Sequence, residues 1–445
     1  MGRRWILLAL GACLGAMAFG RLARAEASGM WEAEFRAGFD GAVRQSVRDV
    51  FSRPRFGWDR GPVMWTRNKA LAVHVGYEGQ FDAVWYGRMD EAVEAAAGAR
   101  WTSGFERRRS RVAVEVFFLR HWFLRARYGW GNFDVLSFQD LYLEWSGLTR
   151  RPGSWWPVLR IGQVKEPMTL DWMNSALRTT FAERAMFTTS IVPNRSVGVR
   201  AHGIGPGKRF TYQVGTYLVD VTELSEQSHR NGEAVTGRIT ALPWAPKDRP
   251  DHLLHVGLAA SYRWDLDTYR AKAKPESWVG PAIVDTGKYA AEGATVVSGE
   301  LFLQRGRLSF TAEGAWTAVR LPDGPTVGYW GAYGQVSCFL TAGHIPYNRT
   351  LGCYGRVQPE RTIFCPARSG LGDVELAARW SILDLTDGPD PGGRAWNVTL
   401  ALNWYARDNL RVYLNYVYSD VADAYGAPGA DGTMSTLLVR LGYDL

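Results

Sequence analysis

Arginine is the residue type whose number and spacing in this sequence could do chemistry. Along several segments apolar residues occupy every second position, and arginines fall on the opposite face. A guanidinium group is planar and always charged, and it binds phosphate or carboxylate oxygens through paired hydrogen bonds. Acidic residues share the face at Glu115, Glu300, Glu313, Glu375 and Asp444. The face opposite the apolar residues is therefore either a cation-rich surface that attracts anions or an ordinary wall of salt bridges. The arginines assigned to it are Arg111, Arg125, Arg127, Arg160, Arg200, Arg209, Arg238, Arg263, Arg379, Arg411 and Arg440.

The sequence gives little support for a catalytic nucleophile or a metal site. None of the seven histidines stands in a Gly-x-Ser-x-Gly or similar context, and the cysteines show no Cys-x-x-Cys spacing. We therefore expect neither enzyme activity nor a metal or cofactor. Nucleic-acid motifs are absent too, so no nucleic-acid partner is expected. Cys353 and Cys365 flank a loop rich in Gly, Pro and Arg, and they form a candidate disulfide with Cys338 left over.

The elements that would position the arginines are β-strands. From about residue 63 to the end, apolar residues recur at every second position, as in 111–118, 398–404 and 437–445. The apolar face runs over about ten residues and ends in Trp or Tyr, which is typical of a membrane-spanning strand. The 20 Trp and 49 Gly fit such a barrel, because Trp anchors the membrane interfaces and Gly permits bends.

Short and long connections indicate an outer-membrane barrel. Short turns are predicted at 119–121, 305–306 and 407–409, and long polar loops at 272–293, 321–326, 344–372 and 420–432. At about 24 residues per strand and connection, residues 62–445 predict an all-β, transmembrane antiparallel β-barrel of about sixteen strands. A soluble β-sandwich does not explain these turn lengths. A helical membrane protein is excluded, because the longest apolar run, 5–19, is shorter than the about 20 residues a spanning helix needs.

The first 62 residues are assigned to export and a short periplasmic segment. Arg3 and Arg4, the apolar run and the site at 23–25 predict a signal peptide over residues 1–25. A lipobox ending at Cys13 is the alternative, but the apolar run continues past it. Residues 26–62 form an N-terminal periplasmic helix and linker, with apolar residues at four-residue spacing over 30–51, and residues 63–445 form the barrel domain. Signal removal takes away four Arg and no acids, so the net charge falls from +8 to +4.

Several motifs resemble the phosphate-selective porin family of outer-membrane channels. The sequence reads GQVKEPMTL at 162–170, TFAER at 180–184, PNRSVGV at 193–199 and VELAARWSILDL at 374–385, and the resemblance covers about residues 105–445. It implies a passive, anion-preferring diffusion channel for phosphate or polyphosphate in the bacterial outer membrane. Small anions and outer-membrane lipid would be its partners, and a homotrimer its assembly. A structural or adhesin-type barrel without transport is the alternative.

The resemblance also implies a constriction loop over residues 171–196, a segment without clean alternation. Such a loop would fold into the lumen and narrow it. The constriction residues would then be Lys165, Arg178, Arg184 and Arg195. Alternatively, the neighbouring acids Glu166 and Glu183 use the loop's charges to fix it to the barrel wall.

Overall fold

The predicted strands form a closed antiparallel β-barrel of sixteen strands in this computed structural model. The structure describes residues 54–67, 69–98, 101–130, 136–149, 155–219, 231–322, 324–363 and 365–445. The predicted signal peptide and the predicted helix within 30–51 lie outside the described residues. In the described part of the chain, no helix is long and apolar enough to cross a membrane.

The strands follow one another around the sheet, and each pairs with its neighbours in sequence. The barrel strands are β3 (Leu71–Met89), β4 (Gly104–Phe118), β5 (Trp122–Trp130), β6 (Leu136–Trp145), β7 (Val158–Lys165), β8 (Arg195–Ile204), β9 (Phe210–Leu218), β10 (Glu233–Trp244), β11 (His252–Trp264), β16 (Gly293–Arg305), β17 (Leu308–Arg320), β18 (Thr326–Phe339), β21 (Asp373–Asp384), β22 (Arg394–Arg407), β23 (Leu410–Ala422) and β24 (Gly432–Asp444). Shorter elements are β1 (Arg55–Trp58), β2 (Pro62–Trp65), α1 (Glu91–Ala97), α2 (Leu170–Met173), α3 (Met186–Ser190), β12 (Thr268–Tyr269), β13 (Lys272–Ala273), β14 (Val284–Asp285), β15 (Tyr289–Ala290), β19 (Tyr347–Asn348) and β20 (Cys353–Tyr354).

The barrel closes where the last strand pairs with the first. In β24, residues 434–444 pair antiparallel with residues 89–78 of β3. Beyond that point the edge of β3 is covered by β2, which pairs Val63 with His74 and forms a hairpin with β1. The sheet therefore begins at Arg55, ahead of the domain start predicted at residue 63. A paired edge leaves fewer backbone groups unsatisfied, which explains why the hairpin joins the sheet.

The two ends of the barrel carry different connections. The turns at 119–121, 306–307 and 408–409 lie at one end, here called the short-turn end, and the segments 166–194, 265–292 and 423–431 lie at the other, the long-loop end. The segment 340–372 is an exception: it is long, yet it lies at the short-turn end because it joins β18 to β21. Successive antiparallel strands reverse direction, so connections alternate between the two ends. The position of a connection in this order, and not its length, decides at which end it lies.

The two faces of the wall differ as the alternation predicted. Large apolar side chains such as Ile161, Leu258 and Trp316 point outward and are exposed. The inner face is polar, and much of it is buried beneath the segments that enter the lumen. Because the outer face is apolar and the inner face polar, the barrel has the surface pattern of a transmembrane β-barrel.

Candidate functional site

The segment 166–194, here called the constriction loop, folds into the lumen. Its bounds differ from the predicted 171–196, because β7 ends at Lys165, and Arg195 and Ser196 already belong to β8. Leu170 of α2 is fully buried in a cluster that includes Phe302 and Tyr405. The ring of Phe187 in α3 lies 6.0 Å from that of Tyr333, centroid to centroid. These partners belong to β16, β18 and β22. Apolar packing therefore fixes the constriction loop against one side of the barrel.

Arginine exposure locates the open part of the lumen. The side chains of Arg125, Arg127 and Arg160 on β5 and β7 remain 25, 16 and 16 % exposed. On β10 and β21, behind the inserted segments, those of Arg238 and Arg379 are 0 and 3 % exposed. The open part of the lumen therefore lies between the constriction loop and the wall around β5–β7.

Three of the four predicted constriction residues surround one indole ring. The charged groups of Lys165, Arg184 and Arg195 lie 5.0, 5.1 and 5.6 Å from the ring centre of Trp172. These four side chains are here called the Trp172 cluster. Lys165 and Arg195 are paired positions on β7 and β8, which is where the constriction loop leaves and rejoins the wall. Cation–π attraction and hydrogen bonding hold the three cations together despite their like charge.

Backbone carbonyl groups hold two of these cations. Lys165 Nζ donates to the carbonyl oxygens of Trp172 and Asn174, at 2.6 and 2.9 Å. Arg184 donates to those of Asp171 and Asn174, at 2.9 and 2.8 Å. A carbonyl group is neutral, so it orients the cation without cancelling its charge.

Asp140 on β6 places one carboxylate beside the Trp172 cluster. Arg195 Nε donates to its Oδ1 at 3.0 Å, and Arg127 and Arg125 lie 3.6 and 3.9 Å from its Oδ2. Three arginines therefore contact this carboxylate, and one of them, Arg125, also pairs with Glu115 at 3.2 Å. Lys165 and Arg184 lie nearby. The local balance is positive.

Two β-bulges help to shape this wall. Gln80 pairs with Arg109 and Phe81 with Arg107, so Arg108 is an extra residue in β4. A bulge re-aims a side chain, and Arg108 bonds the constriction loop through Glu183 Oε1 at 2.7 Å. A second bulge makes Gln139 the extra residue in β6.

Sequence reasoning missed Arg108 and Asp140 for different reasons. Strict alternation cannot place a bulge residue, although the run at 107–109 was a visible signal. The signal for Asp140 was its alternation with Tyr142 and Glu144, opposite apolar residues of the same strand.

Acidic residues of the inserted segments neutralise the buried arginines. Glu166 bonds Arg263 at 3.2 Å, and Glu276 of the 265–292 segment bonds Arg379 and, at 2.5 Å, the Ser381 hydroxyl. These acids act on wall residues and not on their sequence neighbours. The loop is therefore held to the wall by charge, but its acids pair with wall arginines and not with the neighbouring Lys165 and Arg184.

Glu183 differs from these acids because it pairs with three arginines, Arg108, Arg109 and Arg440. It accepts hydrogen bonds from Arg108 at 2.7 and 3.1 Å and from Arg440, which also bonds Asp82. Burial by itself would raise the pKa of Glu183, but Arg108, Arg440 and Arg109 together hold that pKa well below its usual range. Glu183 is therefore a charged anchor that joins the constriction loop to β4 and β24.

The remaining predicted lumen arginines lie on the inner wall, with one exception. Arg209 lies in the turn between β8 and β9, where it is exposed and donates to the Ala245 carbonyl oxygen at 3.1 Å. The others bond as follows: Arg111 to Glu78 at 3.4 Å, Arg160 to Glu144 at 2.6 Å, Arg200 to the Lys165 carbonyl oxygen at 3.1 Å, Arg238 to Glu300 at 2.7 Å, and Arg411 to Asp444 at 3.4 Å.

The fourth predicted constriction residue, Arg178, lies apart from the Trp172 cluster. The charged and titratable groups around it are Arg356, Cys353, Arg60 and Asp444, near the short-turn end. The 340–372 segment enters the lumen from that end and turns at Gly352 (φ 61°), a left-handed conformation that favours glycine. Two insertions from opposite ends therefore approach each other near Arg178.

The predicted disulfide is not formed. Cys338, Cys353 and Cys365 are all free thiols. Cys353 is buried in β20 inside the lumen, whereas Cys365 is partly exposed before a short 3-10 turn at 366–368. Among the described residues, no group of three or more His, Cys, Asp or Glu could hold a metal ion.

Comparison with known proteins identifies relatives of this chain. A sequence profile described as "Phosphate-selective porin O and P" matches residues 86–445. An uncharacterized protein of Caulobacter vibrioides is 28 % identical over 298 residues, covering 62 % of this chain. The chain spans only about half of that relative, 56 % of its length.

Two solved structures share the fold. One is an anion-selective porin from Comamonas acidovorans, with a TM-score of 0.52 and 11 % identity, covering 84 % of this chain and 100 % of that one. The other is the trimer form of OmpT, an outer-membrane protein of Vibrio cholerae, with a TM-score of 0.50 and 10 % identity over the same shares. At such low identity the likeness concerns the fold alone.

Proposed function

The chain belongs to the phosphate-selective porin O and P family, and from that premise we propose that this outer-membrane porin conducts anions in preference to cations, with phosphate or polyphosphate as its solute. The family and the fold make the protein a channel in the outer membrane. The anion preference and the choice of solute are the proposal.

The observation that carries the proposal is the positive charge around Asp140. Five cationic side chains, those of the Trp172 cluster together with Arg125 and Arg127, lie around Asp140 at the narrowed part of the lumen. Glu115 pairs with Arg125, so the cations still outnumber the carboxylates. A passing anion would find donors already oriented and only partly neutralised. Cations would be repelled there, because the charges lie in a confined space and are partly shielded from water.

The arrangement also suits rapid passage. Conduction requires that each site bind weakly enough to release the ion to the next. Asp140 competes with a transported anion for Arg195, Arg127 and Arg125, so it limits how tightly that anion is held. Arg111 and Arg160 continue the basic surface along the same wall, each with a carboxylate partner.

A homotrimer is the proposed assembly. The trimer form of OmpT has a similar fold, and the exposed apolar outer wall gives a second copy a surface to cover.

Reversal potentials across a planar bilayer test the proposal. The double variant Arg184→Gln/Arg195→Gln removes two positive charges from the Trp172 cluster. We expect the chloride-to-potassium permeability ratio to fall about fivefold or more, since each unit charge a few ångströms from an ion is worth about 1 kcal/mol even in bulk water. Phosphate gradients should show the same direction of change.

The matched control is Lys247→Gln, which removes the same kind of charge from the exposed turn between β10 and β11. It should leave the permeability ratio unchanged. An unaltered ratio in the double variant would contradict the proposed site. Absence of single-channel conductance in the wild type would favour the structural or adhesin-type alternative.

A further inference from the structure

A cavity lies in the vestibule of the long-loop end, beside the constriction loop. It has a volume of about 360 Å³. Three segments line it: the constriction loop, the 265–292 segment and the 423–431 connection, which contributes Tyr425. Small-molecule sites begin at about 300 Å³, and a water molecule occupies about 30 Å³. Inorganic phosphate would leave most of this cavity empty.

The acids of this cavity are already neutralised. Asp285 accepts two hydrogen bonds from Arg270, at 2.8 and 2.5 Å. Glu183 and Glu276 bond wall arginines, as described above. The carboxylates therefore add little negative potential to the cavity.

Its cations, in contrast, keep their charge. Arg184, Lys272 and Lys274 line the cavity, and none of them forms an ion pair with a carboxylate among the residues that the structure describes. Lys274 Nζ donates to the Trp278 carbonyl oxygen at 2.6 Å, which orients the ammonium group and leaves further donor hydrogens. Lys272 is exposed. The cavity therefore attracts anions.

Aromatic side chains form the other part of its surface. Trp278 is 37 % exposed. Arg108 and Lys274 lie 3.9 and 4.6 Å from its ring centre, which fixes the ring's position. The Tyr425 hydroxyl is tied to the Ala282 carbonyl oxygen. A flat apolar group could pack against these two held rings at little cost in side-chain entropy.

Building on the proposed anion conduction, we propose that the vestibule cavity binds organic phosphates that carry an aromatic ring. The phosphate group would lie on Lys272, Lys274 and Arg184, and the ring would pack on Trp278 and Tyr425. The cavity would thus concentrate such anions just before the constriction. It separates them from inorganic phosphate, which can use only the cationic part.

Block of the chloride current measures this binding. Phenyl phosphate and inorganic phosphate are compared at equal charge on wild-type protein in a planar bilayer. We expect phenyl phosphate to half-block the current at about a tenfold lower concentration, the difference that a modest apolar contact produces. Trp278→Leu should abolish this difference and leave the block by inorganic phosphate within about twofold.

The charge component is tested separately. Lys272→Gln/Lys274→Gln should raise the half-block concentration of phenyl phosphate severalfold, whereas Lys288→Gln, in the same segment but outside the cavity lining, should not. These side chains are exposed or half-buried, so the variants should fold, which unaltered heat-modifiable gel mobility would verify.

Equal block by both probes in the wild type would overturn the cavity proposal, as would a Trp278→Leu variant that keeps the difference. A channel that prefers anions but shows equal block would disprove only the cavity. A wild-type channel without anion preference would disprove the proposed function itself.

Discussion

Single residues set the charge at the narrow part of the lumen. Arg108 reaches the constriction loop as the extra residue of a bulge, and Asp140 places the one carboxylate that Arg125, Arg127 and Arg195 share. Neither effect depends on the number of charges in the whole chain. What matters is that unlike charges are separated by a few ångströms and partly shielded from water.

At this scale, Asp140→Asn should increase anion preference. The substitution removes the charge that competes with a permeating anion and keeps the side-chain shape. We expect the chloride-to-potassium permeability ratio to rise about fivefold, because one unit charge at about 4 Å contributes about 1 kcal/mol in water. Reversal potentials measure the ratio. Asp251→Asn, in the exposed turn between β10 and β11, serves as control, and a ratio that stays constant or falls in Asp140→Asn would refute the role given to this carboxylate.

Elements set the shape of the lumen. The constriction loop packs through Leu170 and Phe187 on one wall and bonds β4 and β24 through Glu183. The 265–292 and 340–372 segments enter from opposite ends. Each is held by buried polar contacts: Glu276 bonds Arg379, and Arg356 bonds Asp444. The wall arginines thus form two sets: one bonds the segments that enter the lumen, and the other lines the open lumen.

Glu183→Gln should loosen the constriction loop. Removing one partner of a buried ion pair costs about 3 kcal/mol, since the arginines lose their counter-charge. The folded-state pKa of Glu183 is depressed, so its stabilisation is fully present above the unfolded pKa of about 4.3 and is lost as the pH falls through the folded-state value. Wild-type channels should therefore stay quiet from about pH 8 to about pH 5, and the variant should flicker throughout that range. Current noise is the measurement.

The control for this prediction is Glu292→Gln, an exposed acid of the 265–292 segment that bonds Arg320. Quiet currents in Glu183→Gln would show that apolar packing and the remaining polar contacts, such as that of Glu166 with Arg263, hold the loop without Glu183.

The whole molecule is a closed barrel whose charge is directed inward. Closure pairs β24 with β3, so the sheet keeps no open edge where those strands meet. The outer wall is apolar, and the basic residues to which we assign a role in conduction face the lumen. The mature net charge of +4 expected from the sequence is too small to attract anions at a distance, so selectivity should arise inside the channel.

Selectivity should accordingly depend on salt in a limited way. The Debye length falls from about 10 Å at 0.1 M salt to about 3 Å at 1 M. Charges exposed to the open lumen will be screened, whereas the partly buried Trp172 cluster will be screened less. We expect the chloride-to-potassium permeability ratio to decline by a few-fold between these concentrations and to stay above one. Complete loss of preference at about 1 M would place selectivity at the exposed vestibule instead.

The sequence by itself determined the alternation of apolar and polar residues, and with it the strands and the face to which each side chain belongs. In residues 111–118 and 398–404, alternation assigned strands and faces correctly, and counting connections predicted sixteen strands. This succeeds because side-chain direction along a strand is a local property of the backbone. Family resemblance added the constriction loop, from the motifs that flank it.

Only the tertiary structure decided which arginines are neutralised and which side of the lumen stays open. Arg379 is bonded by Glu276, 103 residues away, and Arg440 by Glu183, 257 residues away. The alternation along a strand predicts that a side chain points inward, but it does not predict which residues that side chain contacts. These contacts depend on where three long segments fold. Chain entropy and packing across the whole barrel determine the positions of those segments. The positions of Arg178 and Cys353 near the 340–372 segment have the same cause.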